Sequence, residues 1–371
     1  MELYIDREEL GRGLARVQSI IERRSTQPML ANVLLHARDG SLRVTATDSE
    51  VAYLGELTAN VRTEGQLAVD ATQLFQIVRA LPEPTIRLRL GDASRLEIES
   101  GRASFRLPGT AAEEFPVLPP FRSLASAQLA ERDLRRLVEQ VAFSVATEDV
   151  RWGLNGAHVE EVTVGEEKRL RMVATDGHRL ACAEAVYTGS VQAVHRMLVP
   201  RKALAVMRRL LEGDAPAVSL NFGEGALQLQ RPGESFWFRL IDGEFPDYRA
   251  VVPNDPRHTA TLRRADLTSA LKRVVIVITD RARPARFAFA EDEVEIRVQN
   301  VDKGEVRETL PIELDGAPLV VGFNARYLSE ALNALAGDRV VLSLANPLAP
   351  CLVRDPDRDD AWFVVMPMRL D

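Results

Sequence analysis

The hydrophobic positions along the chain repeat three times. Each copy opens with a helical stripe whose outer apolar positions lie seven residues, or two helical turns, apart. The three stripes are Leu10, Leu14 and Val17; Leu134, Leu137 and Val141; and Leu267, Leu271 and Val274. A second repeated segment ends at Leu74, Leu204 and Leu328, in steps of 130 and 124 residues. This period exceeds the ~20–50 residues of solenoid repeats and has the size of a domain. The pattern therefore predicts three tandem copies of one domain.

The periodicities within each copy predict two helices and several short strands. Alternating residues, as in Ile86–Leu90 and Ala103–Leu107, are typical of half-buried strands, and Asp39-Gly40 predicts a hairpin turn. Two helices on antiparallel sheets make each copy an α+β domain. Proline-rich junctions near residues 115–120 and 253–256 predict domains 1–122, 123–256 and 257–371. The predicted helices are 6–24, 70–81, 131–147, 200–212, 264–278 and 324–336. Asp70 and Asn324 are predicted N-caps, and Pro200 suits the first turn of its helix.

Composition places the chain among soluble globular proteins. It has 371 residues, of which 46% are hydrophobic and 27% charged, and no apolar run reaches 18 residues. The N-terminus lacks the basic and apolar regions of a secretory signal, so we expect none. With no apolar run long enough to span a bilayer, we also expect no membrane partner. Cys182 and Cys351 lie at unrelated points of two different copies, which argues against a disulfide and favours the reducing cytoplasm.

The net charge of −7 argues against a nucleic-acid partner, but the charges are unevenly distributed along the chain. The six predicted helices hold 17 basic and 11 acidic residues, so the excess of acidic residues lies outside them. If the repeats set all helices on one side, that side is basic and can follow a DNA backbone without reading bases. A solvated helix surface would produce part of the same imbalance.

Motifs for catalysis are few. The sequence has no phosphate-binding loop, no metal-ligand spacing and no cofactor fingerprint, so we expect no metal, no cofactor and no catalytic residue. Asp355–Asp360 resembles the start of a calcium loop but lacks its glycine and glutamate, and we interpret it as a solvated hairpin tip. Asp176, His178 and Arg179 could form a phosphodiesterase-like site, although no nucleophile accompanies them. The first copy shares Ala46-Thr-Asp, which predicts that the aspartate caps a turn in both copies. It lacks the glycine, histidine and arginine that follow in the second copy, which favours a binding site specific to the second copy.

Several strings together make the chain similar to the bacterial sliding clamp, the beta subunit of DNA polymerase III. They are Arg24–Leu30, Asp149–Gly156, Ala174–Leu180, Val199–Lys202, Asp242–Arg249, Gly322–Asn324 with Tyr327, and Val364–Leu370. The resemblance covers essentially the whole chain. It implies three DNA-clamp domains per chain, a head-to-tail homodimer that closes a six-domain ring, helices that line the hole, and a non-enzymatic role.

The resemblance also implies partners and their sites. Double-stranded DNA would be encircled without sequence specificity, through Arg24, Arg151 and Trp152. The dimer contact would join Phe105 and Leu107 to Ile276 and Val277 of the partner chain. The polymerase III catalytic subunit, an ATP-driven clamp loader and other repair and replication proteins would bind the clamp, in the cytoplasm at the nucleoid.

The resemblance places a partner-peptide pocket between the second and third copies. Its residues would be Leu154, Thr175, Gly177, His178, Arg179, Leu180, Pro246, Val251, Asn324, Tyr327, Leu348, Val364, Val365, Met366, Pro367, Met368 and Arg369. The chain departs from the family pattern at Gly153, Ala250, Ala282, Pro350 and Asp371. Tandem copies alone would equally permit an open rod, and a monomeric DNA-binding module remains the alternative to a ring.

Overall fold

The computed structural model describes residues 1–21, 27–147, 152–192, 197–213, 215–278, 284–300 and 302–370, and for Trp152 it describes the backbone. Two compact units contain these residues. The first comprises Met1–Arg132, Thr188–Val194 and Ala205–Leu240. The second comprises Asp133–Tyr187, His195–Leu204 and Ile241–Asp371. Neither unit is a single sequence repeat, because strand pairing joins each copy to the next.

Six α-helices lie within the described residues, two for each predicted copy. They are α1 (Arg7–Gln18), α2 (Ala71–Ala80), α3 (Glu131–Ala142), α4 (Arg201–Leu210), α5 (Arg264–Val277) and α6 (Ala325–Ala334). The nine residues of the three predicted apolar stripes are all fully buried, which confirms the helical period. Asp70 and Asn324 accept hydrogen bonds at the N-termini of α2 and α6, as predicted. Pro200 was predicted to lie in the first turn of α4. It is instead the last residue of a strand, directly before that turn.

The helices are shorter than predicted, and two of the reasons are visible. The hydroxyl of Ser19 donates to the carbonyl of Arg16 at 2.6 Å, and α1 ends at Gln18 although Ile20 and Ile21 stay buried. α3 ends at Ala142, and the next carbonyl, that of Phe143, accepts a hydrogen bond from Arg179 at 2.6 Å.

The described residues form 26 strands, and every pairing between them is antiparallel. In chain order they are β1 (Glu2–Asp6), β2 (Asn32–Arg38), β3 (Ser41–Thr47), β4 (Val51–Thr63), β5 (Gly65–Asp70), β6 (Thr85–Leu90), β7 (Arg95–Ser100), β8 (Ala103–Thr110), β9 (Ala125–Leu129), β10 (Gly156–Val164), β11 (Glu167–Thr175), β12 (Arg179–Val186), β13 (Thr188–Ser190), β14 (Met197–Pro200), β15 (Val218–Gly223), β16 (Ala226–Arg231), β17 (Glu234–Arg239), β18 (His258–Arg263), β19 (Ala285–Phe289), β20 (Glu293–Asn300), β21 (Gly304–Pro311), β22 (Glu313–Asp315), β23 (Leu319–Phe323), β24 (Arg339–Leu344), β25 (Cys351–Arg354) and β26 (Ala361–Val365). The turn at Asp39-Gly40 has positive φ at both residues, as the predicted hairpin requires.

Two strand pairs join copies that are far apart in sequence. In the first unit, β4 pairs with β17 inside a sheet of order β1-β6-β7-β8-β5-β2-β3-β4-β17-β16-β15-β9-β13. In the second unit, β12 pairs with β26 inside a sheet of order β14-β10-β11-β12-β26-β25-β24-β18-β22. A further sheet of that unit has the order β21-β20-β19-β23. The C-terminal strand β26 is therefore an interior strand, between β12 and β25.

The described residues contain no helix long and apolar enough to cross a bilayer. Cys182 and Cys351 are both free and buried. Burial raises the pKa of both thiols, which keeps them protonated.

Candidate functional site

A tight turn between β11 and β12 forms the centre of the candidate site. The hydroxyl of Thr175 donates to the carbonyl of Arg179 at 2.6 Å and accepts from the amide of Gly177 at 3.1 Å. The Asp176 carboxylate accepts from the amides of His178 and Arg179 at 3.0 and 3.1 Å. Asp176 is thus a turn-capping residue, as predicted from its repetition, and its carboxylate is occupied by the backbone. Gly177 has φ of 86°, a region that favours glycine.

The C-terminal tail lies against this turn. β26 pairs Val364 with Leu180, and after the strand the amide of Met366 donates to the carbonyl of His178 at 2.9 Å. Two residues later the amide of Met368 donates to the carbonyl of Gly322 at 2.8 Å. A Cβ on residue 322 would lie 2.6 Å from the Met368 carbonyl oxygen, so the close approach of the tail to β23 requires glycine there.

Arg179 connects the turn to helices α3 and α6. Its guanidinium lies 4.4 Å from the ring centroid of Tyr327 and 5.2 Å from that of Phe143. It also donates to Asp176 at 3.0 Å and forms an ion pair with Glu330. The imidazole of His178 is exposed and stacks on the same Tyr327 ring, with 6.4 Å between the ring centroids. An Arg between two aromatic rings combines cation–π attraction with fixed hydrogen-bond geometry, so this side chain is held rather than mobile.

The sheet behind the turn carries a partly buried polar network. Glu160 accepts from the hydroxyl of Tyr248 at 2.5 Å and from Arg249 at 2.9 Å. Arg171 donates to the Tyr248 oxygen at 2.9 Å and to Glu184 at 2.8 Å. Burial acts to raise the pKa of Glu160, but the imidazole of His158 at 3.8 Å and hydrogen bonds from Tyr248 and Arg249 outweigh it and lower that pKa to about 2. The network fixes the short 3₁₀ turn Tyr248–Val251, on which a predicted pocket residue lies.

Only some of the predicted pocket residues contact the turn between β11 and β12 or the tail that packs on it. Hydrogen bonds, strand pairing or ring contacts join Thr175, Gly177, His178, Arg179, Leu180, Tyr327, Val364, Val365, Met366 and Met368. Asn324 caps α6, Leu154 is buried and its carbonyl accepts from Ala146, and Val251 is 40% exposed. Pro367 is half-buried and Arg369 exposed on the tail. In the described part of the chain, no hydrogen bond, ion pair or ring contact joins the side chains of Pro246 and Leu348 to the centre, and Leu348 is 73% exposed.

Several site residues were missed by sequence reasoning. Arg136 donates to Asp360 at 2.6 Å and to the carbonyl of Glu184 at 3.0 Å, and Gln140 donates to the carbonyl of Ala334 at 3.0 Å. The bonds to Asp360 and Ala334 tie α3 to the third copy, across 224 and 194 residues of sequence. No local pattern signals them, because polar residues on one helix face are usually solvated.

Gly153 is explained by the structure. A Cβ on this residue would lie 2.2 Å from the carbonyl oxygen of Glu244, so a side chain would displace the backbone of the segment that follows β17. Ala250 is exposed and Pro350 half-buried. Arg24, Arg151, Ala282 and Asp371 lie outside the described residues, as does the side chain of Trp152.

The predicted dimer residues lie on two separate elements. Phe105 is 39% exposed on β8, whereas Leu107 is buried. One side of β8 pairs with β7. On its other side β8 pairs with β5 only at residues 109 and 110, and residues 103–107 have no strand partner on that side within the described chain. Ile276 is 70% exposed and Val277 half-buried on α5, which packs beside β21, a terminal strand of its sheet.

Basic side chains predominate in the helices as the structure bounds them. The six helix ranges contain 15 basic and 7 acidic residues in a chain whose net charge is −7. Part of this excess is structural, because Arg264 donates to the carbonyls of Gly337 and Leu332, and Arg136 to that of Glu184. The described residues contain no cluster of three or more side chains that could hold a metal ion.

Comparison with known proteins decides the family. Models of the N-terminal, central and C-terminal domains of the DNA polymerase III beta subunit match residues 1–119, 128–247 and 249–369. The chain belongs to the DNA polymerase III beta subunit family, the bacterial sliding clamps. Its fold is three tandem clamp domains, and its function is that of a DNA polymerase III sliding clamp, a processivity factor of DNA replication.

Individual relatives match over the full length. The beta sliding clamp of Caulobacter vibrioides is 35% identical and that of Escherichia coli K12 34% identical, each covering 100% of both chains. A crystal structure of the sliding clamp from Bartonella birtlesii bound to griselimycin matches with a TM-score of 0.94 and 33% identity, again over 100% of both chains. The resemblance stated from the sequence motifs is thereby confirmed.

Proposed function

We propose that this clamp acts as a head-to-tail homodimer that closes a six-domain ring around duplex DNA. Each chain would contribute three domains, 1–122, 123–256 and 257–371, with helices lining the hole and sheets outside. Two different strand edges, on β8 and on β21, have no strand partner among the described residues, and they support a contact in which β8 of one protomer lies beside β21 of its partner. One two-fold axis makes this contact twice and closes the assembly.

Enclosure of the duplex would explain how the protein binds DNA without sequence specificity. The helices carry the basic excess, and DNA presents a phosphate charge about every 1.7 Å, so weak backbone contacts permit sliding. Arg24, Arg151 and Trp152 would contact the duplex. The protein would not be an enzyme, since Asp176 is used by its turn, and a separate ATP-driven loader would open the ring.

The tail and turn would form the docking pocket for polymerase III and for other replication and repair proteins. The observation that carries this part is the hydrogen bond from the amide of Met366 to the carbonyl of His178, which sets a methionine-containing tail beside Tyr327. Methionine side chains adapt to different apolar partners, and Tyr and Arg are frequent anchors at interfaces. The remaining pocket residues would be those named in the sequence motifs. Such a clamp would act in the cytoplasm, at the nucleoid.

Retention on DNA of different topology tests the ring. Loaded protein should stay on nicked circular plasmid and leave the same plasmid after linearisation, since a ring slides off free ends. Equal loss from both would instead support a monomeric DNA-binding module, as would a monomeric solution mass under all conditions. A divalent-dependent nuclease activity that is lost in His178→Ala would revive the enzymatic alternative.

Removal of the tail tests the pocket separately. Deleting residues 366–371 should abolish binding of the polymerase III catalytic subunit, while sedimentation still reports the dimer. Loss of the dimer would place the tail at the subunit interface.

A further inference from the structure

The turn between β3 and β4 reproduces the turn of the docking site bond for bond. The hydroxyl of Thr47 donates to the carbonyl of Val51 at 2.9 Å and accepts from the amide of Ser49 at 3.0 Å. The Asp48 carboxylate accepts from the amides of Glu50 and Val51 at 2.9 and 2.8 Å. The repeated sequence therefore builds one turn geometry at two places.

The neighbouring strand is also placed alike. The amide of Arg239, at the end of β17, donates to the carbonyl of Glu50 at 2.8 Å, as the amide of Met366 does to that of His178 at 2.9 Å. β17 is followed by the linker to the third copy where β26 is followed by the C-terminal tail. The first unit thus contains a counterpart of the turn-and-strand corner of the proposed pocket.

An open cleft of about 660 Å³ lies at this second corner. We call it the linker cleft, and its lining includes Thr47, residues 116–122, Leu124, Trp237 and Arg239. Much of this lining is apolar and accessible, because Val117 is 92% exposed and Leu124 is 49% exposed. Apolar side chains of this size are usually covered when they line a concave surface, so the cleft has the character of a docking surface.

The charge of the linker cleft selects the partner. Arg122 and Arg239 both line it and are exposed, and neither side chain has a hydrogen-bond or ion-pair partner in the described chain. Glu224 is the acidic residue of the lining, so the cleft is net positive within a chain of net charge −7. Free guanidinium groups beside an apolar surface match a carboxylate that adjoins bulky apolar side chains.

We propose that the linker cleft is a second peptide-docking site, which takes an extended segment of a partner protein that carries a carboxylate beside bulky apolar side chains. The likeness of the two corners rests on the proposed function of the tail pocket, whereas the exposed apolar lining and the free arginines do not. A clamp with two such sites per chain would hold one partner at two points or two partners at once.

The indole of Trp237 provides a local reporter. The chain has three tryptophans, and the Trp237 indole signal of full-length protein labelled with ¹⁵N-tryptophan can be assigned through Trp237→Phe. The probe is the peptide acetyl-Asp-Asp-Leu-Phe-Leu, and acetyl-Lys-Lys-Leu-Phe-Leu is its charge-reversed control. The acidic peptide should shift this signal saturably and the basic peptide should bind more weakly.

Variants decide whether the cleft is responsible. Val117→Glu combined with Arg239→Glu should weaken the acidic peptide about tenfold or more, since apolar contact and a charged hydrogen bond are both lost. Val186→Glu, at a residue that is 55% exposed in the second unit, is the matched control and should bind normally. An unchanged affinity in the double variant would overturn the proposal. So would a shift produced by a short DNA duplex and not by the peptide.

Deletion of the tail distinguishes a failure of the proposed tail pocket from a failure of the linker cleft. Deletion of residues 366–371 should leave the Trp237 shift intact, and disappearance of the shift in that variant would overturn the second site. Polymerase binding that survives the same deletion would contradict the tail pocket and leave the linker cleft standing.

Discussion

The guanidinium of Arg179 lies 4.4 Å from the centroid of the Tyr327 ring, and this contact joins helix α6 to the turn between β11 and β12. The two residues belong to different copies of the repeat. One comes from the strand β12 and the other from the first turn of α6. The tail strand β26 pairs with β12, so the contact lies where three segments of the second unit meet.

Replacement of Arg179 by alanine should destabilise the second unit by about 2–4 kcal/mol, because a partly buried carbonyl and two carboxylates lose their donor. The side chain is 11% exposed and bonds to Asp176, Glu330 and the carbonyl of Phe143. Thermal unfolding would measure the change. Arg263→Ala is the control, since Arg263 is 76% exposed and its pair with Asp266 should contribute less than about 1 kcal/mol. Equal effects of the two variants would show that Arg179 is not a structural bridge.

The two copies of the turn allow a reciprocal test of backbone strain. Gly177 has φ of 86°, and its counterpart Ser49 has φ of 77° with a side chain attached. Gly177→Ala should cost about 1–2 kcal/mol, since the left-handed region disfavours a Cβ. Ser49→Gly should stabilise the first unit by about 0.5 kcal/mol, after the entropic cost of glycine is subtracted. Unfolding curves in urea measure both, and a destabilised Ser49→Gly would contradict this account.

Glu160 should make the second unit sensitive to acid. Its pKa is lowered from 4.5 to about 2, so the folded state favours the carboxylate and Glu160 stabilises the fold above pH 4.5. That contribution should be lost as the pH falls from 4.5 through 2. In Glu160→Gln the same acid-dependent loss should be smaller, so wild type and variant converge in stability at low pH. Thermal unfolding from pH 6 to pH 2.5 measures this, and a constant difference between the two proteins would refute the assignment.

The exposed residues Phe105 and Ile276 should control dimer formation. Phe105→Asp or Ile276→Asp should raise the dimer dissociation constant at least about tenfold, because a charge then enters an apolar contact. Both side chains are accessible in the chain, so the fold should tolerate the change. Sedimentation velocity measures the shift, with Val186→Asp as the exposed control. A dimer that resists both substitutions would place the interface elsewhere.

Local features of the fold were predictable because they depend on neighbouring residues. The stripe Leu267, Leu271 and Val274 is fully buried, and the N-caps Asp70 and Asn324 accept the expected hydrogen bonds. Helix ends were less accurate. α1 ends at Gln18 rather than residue 24, and a serine hydroxyl that bonds to the preceding carbonyl is not visible as a change of period.

The sequence by itself determined the threefold repeat, the helical stripes, the capped turns and the family, since all of these are written in residues close together along the chain. Only the tertiary structure decided that β17 pairs with β4 and β26 with β12, which merges neighbouring copies into common sheets. It also decided that Glu160 and Arg171 bond to Tyr248. The physical reason is that strand pairing and buried polar contacts join residues separated by tens to hundreds of positions, and no local periodicity encodes which distant strand or side chain will be the partner.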